Sequence, residues 1–269
     1  MTCRRNKSLI ALAGLTSTSY LVARHGESWL RHSLLYLSNA GWARSTVTDM
    51  DLAWRVASRF VAGTTREDAA VVAADLNRRG LKTTLDFLGE SVNTEQDAVD
   101  ARDEILSLIE VIHEKHLDSG VSLKLSQLGL KLDEELAHDN LGTIVQHAAE
   151  RDMFVRIDME DSPTVTTTLD MQRSLRKDNG LTNSGGVIQS YLYRSETDVA
   201  RLLQDGVSIR LCKGAYAEPA DVAFPQKADT DANYLHLSRM MLSEQARERG
   251  AHPAFATHDP RMVEGIVDY

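Results

Sequence analysis

From residue 81 to the end of the chain, short apolar runs alternate with long amphipathic segments. A helix-start signal follows most of the runs, so each run and its helix read as one strand–helix unit. Strands joined in this way pair in parallel through right-handed crossovers, which predicts a (β/α) barrel or a doubly wound sheet. The six runs are KTTLDFLGE, VSLKLSQLGL, FVRIDMED, GVIQSYLYR, VSIRLCKGAY and PAFATHD.

Capping residues place the predicted helices between these strands. Ser, Thr, Asp and Asn are favoured at helix starts, and glycine is favoured just after helix ends. The predicted starts are Thr64 with Glu67, Asn93 or Thr94, Ser162 with Pro163, Ser195 with Asp198, and Asp259 with Pro260. The predicted ends are Gly80, Gly120, Gly206 and Gly250.

The alternation within three strands favours the barrel over the open sheet. In VSIRLC, the apolar Val207, Ile209 and Leu211 alternate with Ser208, Arg210 and Cys212. VSLKLSQ and FVRIDMED show the same split. Both faces of an open parallel sheet are covered by helices and read as apolar, whereas a barrel interior accepts a polar face with chemistry at the strand C-termini.

A full barrel of this type needs eight units, and the sequence shows six. We therefore expect an incomplete (β/α)8 TIM-type barrel over residues 81–269, cut before strands seven and eight. Residues 1–80 are expected to form an N-terminal helical segment, of which TTREDAAVVAADLNRRG is the clearest helix.

Composition narrows the partners and the compartment. The formal charge of the 269 residues is −9 without a basic tract, which argues against nucleic acid as a partner. Cys3 and Cys212 are the only cysteines, so no disulfide framework is expected and a reducing compartment fits. No apolar run of the sequence is long enough to span a bilayer.

Four basic residues lie on or just after the predicted strands and need anions, because an unpaired buried cation is costly. They are Lys124, Arg156, Arg210 and Lys213. One interpretation is an ion-pair network with Asp158, Glu160 and Glu90. The other is a bound anionic ligand, such as a carboxylate or a phosphate, at the barrel mouth.

Other polar residues give weaker signals. His258 follows an apolar run at the active rim and is expected to contact a ligand, and Gln189 is a buried amide that needs partners. His113 and His116 belong to a polar helix before the second strand, so no metal site is predicted. The sequence contains neither GxGxxG nor GxxxxGK[ST], the usual nucleotide loops.

Seven segments in order resemble the bacterial monofunctional proline dehydrogenases, from about residue 50 to the end. The resemblance implies an FAD-containing, distorted (β/α)8 barrel. It also implies oxidation of L-proline to Δ1-pyrroline-5-carboxylate, with electrons passed to a quinone. The segments are TTLDFLGE, VSLKLSQLGL, FVRIDMEDSP, VIQSYLYRSETD, IRLCKGAYAEP, VAFPQKADTDANYLHL and FATHDPRM.

The resemblance also implies roles for individual residues. Arg210 would lie by the flavin N5 as a catalytic residue, and Asp158 would sit in the substrate site, paired with Lys124. Lys124 would contact the proline carboxylate, and Glu90 resembles the acidic half of a gating ion pair. The implied cofactor-binding residues are Met159, Gln189, Lys213, Gly214, Ala215, Thr257 and His258.

Members of this family carry an adjacent arginine pair in a later helix, which binds the proline carboxylate. This sequence stops before that helix, so we expect impaired activity of residues 1–269 alone. The resemblance implies cytoplasmic residence, with peripheral contact at the inner membrane face left open. Two alternatives stay open at this point: a Schiff-base aldolase-like barrel with Lys213 or Lys124 as nucleophile, and an inactive fragment.

Overall fold

The computed structural model describes residues 61–89 and 92–269. Its contacts divide the chain into two units, Met1–Thr64 and Thr65–Tyr269, and every strand and helix named below belongs to the second unit. Glu90 and most of the expected N-terminal helical segment lie outside the described residues, so the predictions for them stay predictions.

Six parallel strands form one sheet, in which each strand pairs with the next one along the chain. A doubly wound sheet reverses its strand order at a switch point, whereas a barrel adds every strand on the same side. The sequential order therefore confirms the barrel type, as a six-stranded part-barrel. The strands are β1 Thr83–Asp86, β2 Ser119–Leu123, β3 Val155–Ile157, β4 Ser184–Gln189, β5 Ser208–Cys212 and β6 Ala254–Phe255.

Helices connect these strands, and two short 3₁₀ helices follow β2 and β3. In the described part of the chain, no helix is both long enough and apolar enough to cross a membrane. The helices are α1 Arg66–Arg78, α2 Glu95–Glu114, α3 Glu134–Ala149, α4 Val165–Asp178, α5 Ser195–Gln204, α6 Lys227–Leu242, α7 Glu244–Glu248 and α8 Pro260–Val267. The 3₁₀ helices are Leu125–Leu128 and Ser162–Thr164.

Local side-chain chemistry sets several helix starts as predicted. Thr94 forms a full capping box with Asp97 at the start of α2, and Asp259 accepts from the Arg261 amide ahead of α8. The start of α1 is one residue later than predicted, because Thr65 rather than Thr64 accepts the hydrogen bond that caps the helix.

Tertiary contacts override the other local signals. The Ser162 hydroxyl donates to Glu218 instead of capping a helix, and the Ser195 hydroxyl donates to the carbonyl of Gln189. Gly120 belongs to β2 rather than to the end of a helix, because α2 already ends at Glu114. The two serines form hydrogen bonds to residues outside their own helices, and the glycine is part of a strand. A local sequence pattern does not reveal such contacts.

The core lies between the strands and the surrounding helices. The apolar strand residues Val121, Ile157 and Leu211 are fully buried within the two hydrophobic clusters of the described chain. Because strand side chains alternate between faces, the polar set of each strand is turned to the barrel interior. The polar interior predicted for β2, β3 and β5 is therefore confirmed, and it places the charged residues together.

Candidate active site

Arg210 on β5 and Asp158 just beyond β3 form an ion pair inside the barrel. Their side chains are only 27% and 20% exposed. Burial raises the pKa of Asp158, while the positive charges of Arg210, Lys124 and Arg156 act in the opposite direction. The site thus holds a carboxylate in a partly desolvated place, surrounded by three cations.

Lys124 directly follows β2 and lies near Asp86, the last residue of β1. Its Nζ is 3.8 Å from a carboxylate oxygen of Asp86. The resemblance implied a pair between Lys124 and Asp158, but the ion pair of Asp158 is with Arg210, and Lys124 acts on it at longer range. Sequence reasoning missed Asp86, although its place at the end of the neighbouring strand was a usable signal.

Arg156 lies on β3, nearer to the N-terminal end of the barrel than Asp158. Its Nη1 donates to the carbonyls of Gly186 at 2.9 Å and Ser208 at 3.0 Å, and its guanidinium lies 4.8 Å from the ring centre of Phe154. Burial lowers its pKa to about 10, helped by the charge of Arg210. Arg156 was expected to need an anion, but backbone carbonyls of β4 and β5 satisfy it.

Lys213 follows β5 and is held by two carboxylates. Its Nζ lies 2.6 Å from Asp231 at the start of α6 and 2.9 Å from Asp259 at the start of α8. Burial alone would lower its pKa, but the hydrogen bonds to Asp231 and Asp259 outweigh it and raise the pKa. A lysine held as an ammonium ion is a poor nucleophile, which argues against Lys213 as a Schiff-base residue.

Gly214 adopts a left-handed backbone conformation with φ +115°, next to an aromatic ring. A Cβ at this position would lie 2.4 Å from Cδ1 of Tyr191. The glycine is required both by its φ angle and by this close approach. The resemblance implied a cofactor contact for Gly214, and this stays a prediction; its close neighbour in the structure is Tyr191. Ala215 follows as an exposed residue.

A buried amide links the ends of β3 and β4. Gln189, 2% exposed, donates from Nε2 to the carbonyls of Met159 at 3.0 Å and Glu160 at 2.9 Å. The Glu160 carboxylate in turn accepts from the backbone and hydroxyl of Ser126, at 3.0 and 2.6 Å. Among the described residues, Oε1 of Gln189 has no donor. A buried acceptor without a donor is what a ligand N–H would satisfy.

The remaining predicted residues lie at the rim or along the interior. Thr257 accepts a hydrogen bond from the Asp259 amide at 3.1 Å, and His258 is exposed beside it. Burial raises the pKa of the Cys212 thiol to about 11, so it is a small interior residue rather than a nucleophile. The described chain contains no cluster of His, Cys, Asp and Glu that could hold a metal ion.

The described residues at these strand ends combine charged groups of both signs with a buried amide beside them. Lys124, Arg156 and Arg210 lie near the carboxylates of Asp86 and Asp158. Cations placed in this way can bind an anionic substrate group and stabilise negative charge that develops nearby. Gln189 and Met159 lie at the same strand ends, so the residues present fit a flavin ring that offers an N–H donor and gains negative charge.

Comparisons with known proteins show which family this chain resembles. A sequence model described as proline dehydrogenase matches residues 69–269. Proline dehydrogenase 1 of Bacillus subtilis subsp. natto is 39% identical over 238 residues, which cover 87% of this chain and 75% of that protein. The proline dehydrogenase of Deinococcus radiodurans is 39% identical over 216 residues, which cover 79% of this chain and 68% of that one.

Solved structures match the fold. Proline utilization A (PutA) from Bdellovibrio bacteriovorus superimposes with a TM-score of 0.74 at 23% identity, covering 80% of this chain and 27% of that chain. PutA of Bradyrhizobium japonicum, as its D778Y mutant, gives a TM-score of 0.66 at 26% identity and covers 84% of this chain. This chain spans only 26% of that second protein. With its family match, its relatives and its parallel part-barrel, the chain belongs to the proline dehydrogenase family.

Proposed function

We propose that this chain is an FAD-dependent dehydrogenase that oxidises L-proline to Δ1-pyrroline-5-carboxylate and passes the electrons to a quinone. The observation that carries the proposal is the interior cluster of Arg210, Asp158 and Lys124 at the C-terminal ends of the strands. The family match supports the substrate, and the resemblance of the site segments supports FAD and the quinone.

Oxidation of proline to the imine removes a hydride from Cδ and a proton from the ring nitrogen, and it forms the C=N double bond. Bound FAD would accept the hydride and later pass the two electrons on to the quinone. The protein then has to bind the substrate carboxylate, place Cδ, and stabilise the negative charge that the cofactor gains.

Lys124 is assigned to the carboxylate of proline, because it is a cation on the polar face next to Asp158. Arg210 is assigned to charge stabilisation, since its guanidinium lies inside the barrel in an ion pair with Asp158. Asp158 orients Arg210 through their ion pair and faces the substrate amine. Its raised pKa brings the carboxylate closer to the range in which it exchanges protons with an amine.

Gln189, Met159 and the segment Lys213–Ala215 are assigned to the cofactor, together with Thr257 and His258. The acceptor of Gln189 that lacks a donor supports this assignment. Lys213 already bridges Asp231 and Asp259, so its part in cofactor binding would be made through this cluster. Glu90 remains assigned to a gate over the site.

The visible spectrum of the purified chain tests the proposal. Flavin absorbance that is bleached by L-proline without oxygen, but not by D-proline, is the expected result. Flavin that L-proline leaves oxidised would contradict proline oxidation by this chain. Protein without flavin, in which borohydride traps a substrate on a lysine, would support the aldolase-like alternative instead.

A dye-reduction assay measures the turnover of L-proline by this chain. A quinone in place of the dye tests the proposed acceptor. We also infer cytoplasmic residence with contact at the inner membrane face during quinone reduction. Sedimentation of the reduced and oxidised protein with lipid vesicles tests that contact.

A further inference from the structure

A buried glutamine joins the ends of β1 and β2. The side chain of Gln127 is 0% exposed, although it is polar. Its Nε2 donates to the carbonyl of Phe87 at 2.5 Å, and its Oε1 accepts from the amide of Lys124 at 2.9 Å. Both backbone groups lie just beyond the last paired residues of these strands. One side chain therefore continues the connection between β1 and β2 where the ladder stops.

The same glutamine forms hydrogen bonds with both backbone groups of Lys124. The Gln127 amide donates to the carbonyl of Lys124 at 3.1 Å, while its side chain holds the Lys124 amide. The backbone bond is the ordinary first bond of the 3₁₀ helix Leu125–Leu128, and the side-chain bond is the N3 half of a capping box, with Lys124 as the N-cap residue. The arrangement fixes the point and the direction in which the Lys124 side chain leaves β2.

We propose that Gln127 is a positioning residue that sets the place of the Lys124 ammonium, and through it the affinity for a substrate carboxylate. A lysine side chain has a flexible four-carbon stem, so its reach depends on how firmly its backbone is held. The inference rests on the proposed proline oxidation, in which Lys124 contacts the proline carboxylate. It adds a residue that touches neither substrate nor cofactor.

Filling space is the competing role for a buried glutamine, and Gln127→Met tests it because methionine has a similar length without hydrogen bonds. Calorimetry on the FAD-loaded chain is expected to show L-proline binding about tenfold weaker in this variant, because the two hydrogen bonds that fix the Phe87 and Lys124 backbones are lost. FAD affinity should change less than about twofold, because the change lies on the substrate side. Unchanged L-proline affinity would overturn the proposal.

Gln172 on α4 offers a matched control. It is also buried, at 1% exposure, and the atoms of its amide have no hydrogen-bond partner within the described chain. It packs beside Gly186 of β4, on the helix side of the sheet. Gln172→Met should leave L-proline and FAD affinities unchanged, and an equal loss in both variants would reduce Gln127 to a packing residue.

Gln127→Glu gives a pH signature that packing cannot produce. A protonated carboxyl has the donor and the acceptor of the amide, so it can hold both backbone groups. Burial raises the pKa of such a carboxyl, and its ionised form loses the donor to Phe87. The ratio of the L-proline affinity of this variant to that of wild type, both measured at the same pH, should be close to one near pH 5. The ratio should fall as the pH rises. A ratio independent of pH would contradict the proposal, and this variant serves if Gln127→Met does not fold.

Amide exchange separates this inference from the proposed function. In the chain without ligand, the Lys124 amide should exchange at least about tenfold faster in Gln127→Met than in wild type, as measured by NMR. Unchanged exchange overturns the positioning of Lys124 whatever the substrate. If exchange is faster in the variant but wild type neither binds nor oxidises L-proline, the proposed function is wrong. In that case Gln127 still positions the Lys124 backbone, but the link to substrate affinity is lost.

Discussion

Arg210 and Asp158 meet inside the barrel although 52 residues separate them along the chain. Their contact crosses β4, since Arg210 belongs to β5 and Asp158 follows β3. Because β4 lies between the two strands, the pair can form only where the sheet curves and turns both side chains inward. Arg210 is consequently the residue on which the proposed chemistry depends most.

Arg210→Met is expected to slow reduction of bound flavin by L-proline by about 10²–10³-fold, because it removes a fixed positive charge where negative charge develops. Arg210→Lys keeps a positive charge but loses the planar guanidinium. Its rate of flavin reduction should therefore lie between that of Arg210→Met and that of wild type. Anaerobic stopped-flow absorbance measures the rate. Reduction by Arg210→Met at the wild-type rate would remove Arg210 from the proposed mechanism.

Arg156→Met is expected to lower the free energy of unfolding by about 2 kcal/mol, because hydrogen bonds from a buried cation to two carbonyls are lost. Urea unfolding followed by circular dichroism measures it. Arg78, which is 76% exposed and pairs with Asp75 at the surface, is the control, and Arg78→Met should cost less than about 0.5 kcal/mol. Equal effects of the two substitutions would mean that Arg156 does not hold β3, β4 and β5 together.

Gly214→Ala is expected to destabilise the protein through two separate effects. Gly180 also has a positive φ, at +69°, but nothing lies within 4 Å of its would-be Cβ. Gly180→Ala should therefore cost only the backbone strain, about 1 kcal/mol. Gly214→Ala should cost a further 1–3 kcal/mol or so, because its methyl group collides with the ring of Tyr191.

A Tyr191→Ala background separates the two effects in urea unfolding. With the ring absent, the cost of Gly214→Ala should fall to that of Gly180→Ala. If the cost is the same with and without the ring, contact with Tyr191 is not the reason for the glycine.

The cluster of Lys213, Asp231 and Asp259 predicts a pH window of stability. Hydrogen bonds from Arg261 and Lys213 hold the pKa of Asp259 well below its usual range, and those from Lys213 and Lys227 outweigh burial and lower that of Asp231. A carboxyl whose pKa is lower in the folded state than in the unfolded state stabilises the fold when the pH is above its unfolded-state pKa of about 3.9. This stability is lost as the pH falls towards the pKa of the folded state. The raised pKa of Lys213 adds stability that is lost only as the pH rises above about 10.4.

Asp259→Asn isolates the charge, because asparagine also caps a helix well. The variant should melt below wild type at pH 7, and the difference in Tm should shrink steadily as the pH is lowered from about 4 to about 2. Asp75→Asn, at an exposed surface pair, is the control and should differ little from wild type at any pH. A difference that persists unchanged at the acid end of this range would contradict the electrostatic origin.

The strands were predictable because alternation along a strand is local information. Val207 to Cys212 alternates in the sequence and in the structure, and each of the six predicted runs overlaps a strand, although β2 and β4 begin two residues before their runs. The polar interior followed from the same alternation. These features need no knowledge of which strand lies beside which, beyond the order in the chain.

The partners of the charged residues were not predictable in the same way. Lys124 lies by Asp86 rather than in an ion pair with Asp158, which depends on the relative rotation of β1, β2 and β3. Ser162 serves Glu218, a residue beyond β5, so its local capping pattern was misleading. Gln127 gave no signal at all, because its role arises only where the ends of two strands come side by side.

The sequential order of the strands has a consequence for how the chain acquires its fold. Every ladder joins a strand to the next one synthesised, one helical connection later. Each parallel pair is non-local, so the chain between the two strands must close into a loop before the pair contributes contacts. A new strand can nevertheless dock on an edge already formed, and β5 brings Arg210 to Asp158 once β3 and β4 are in place.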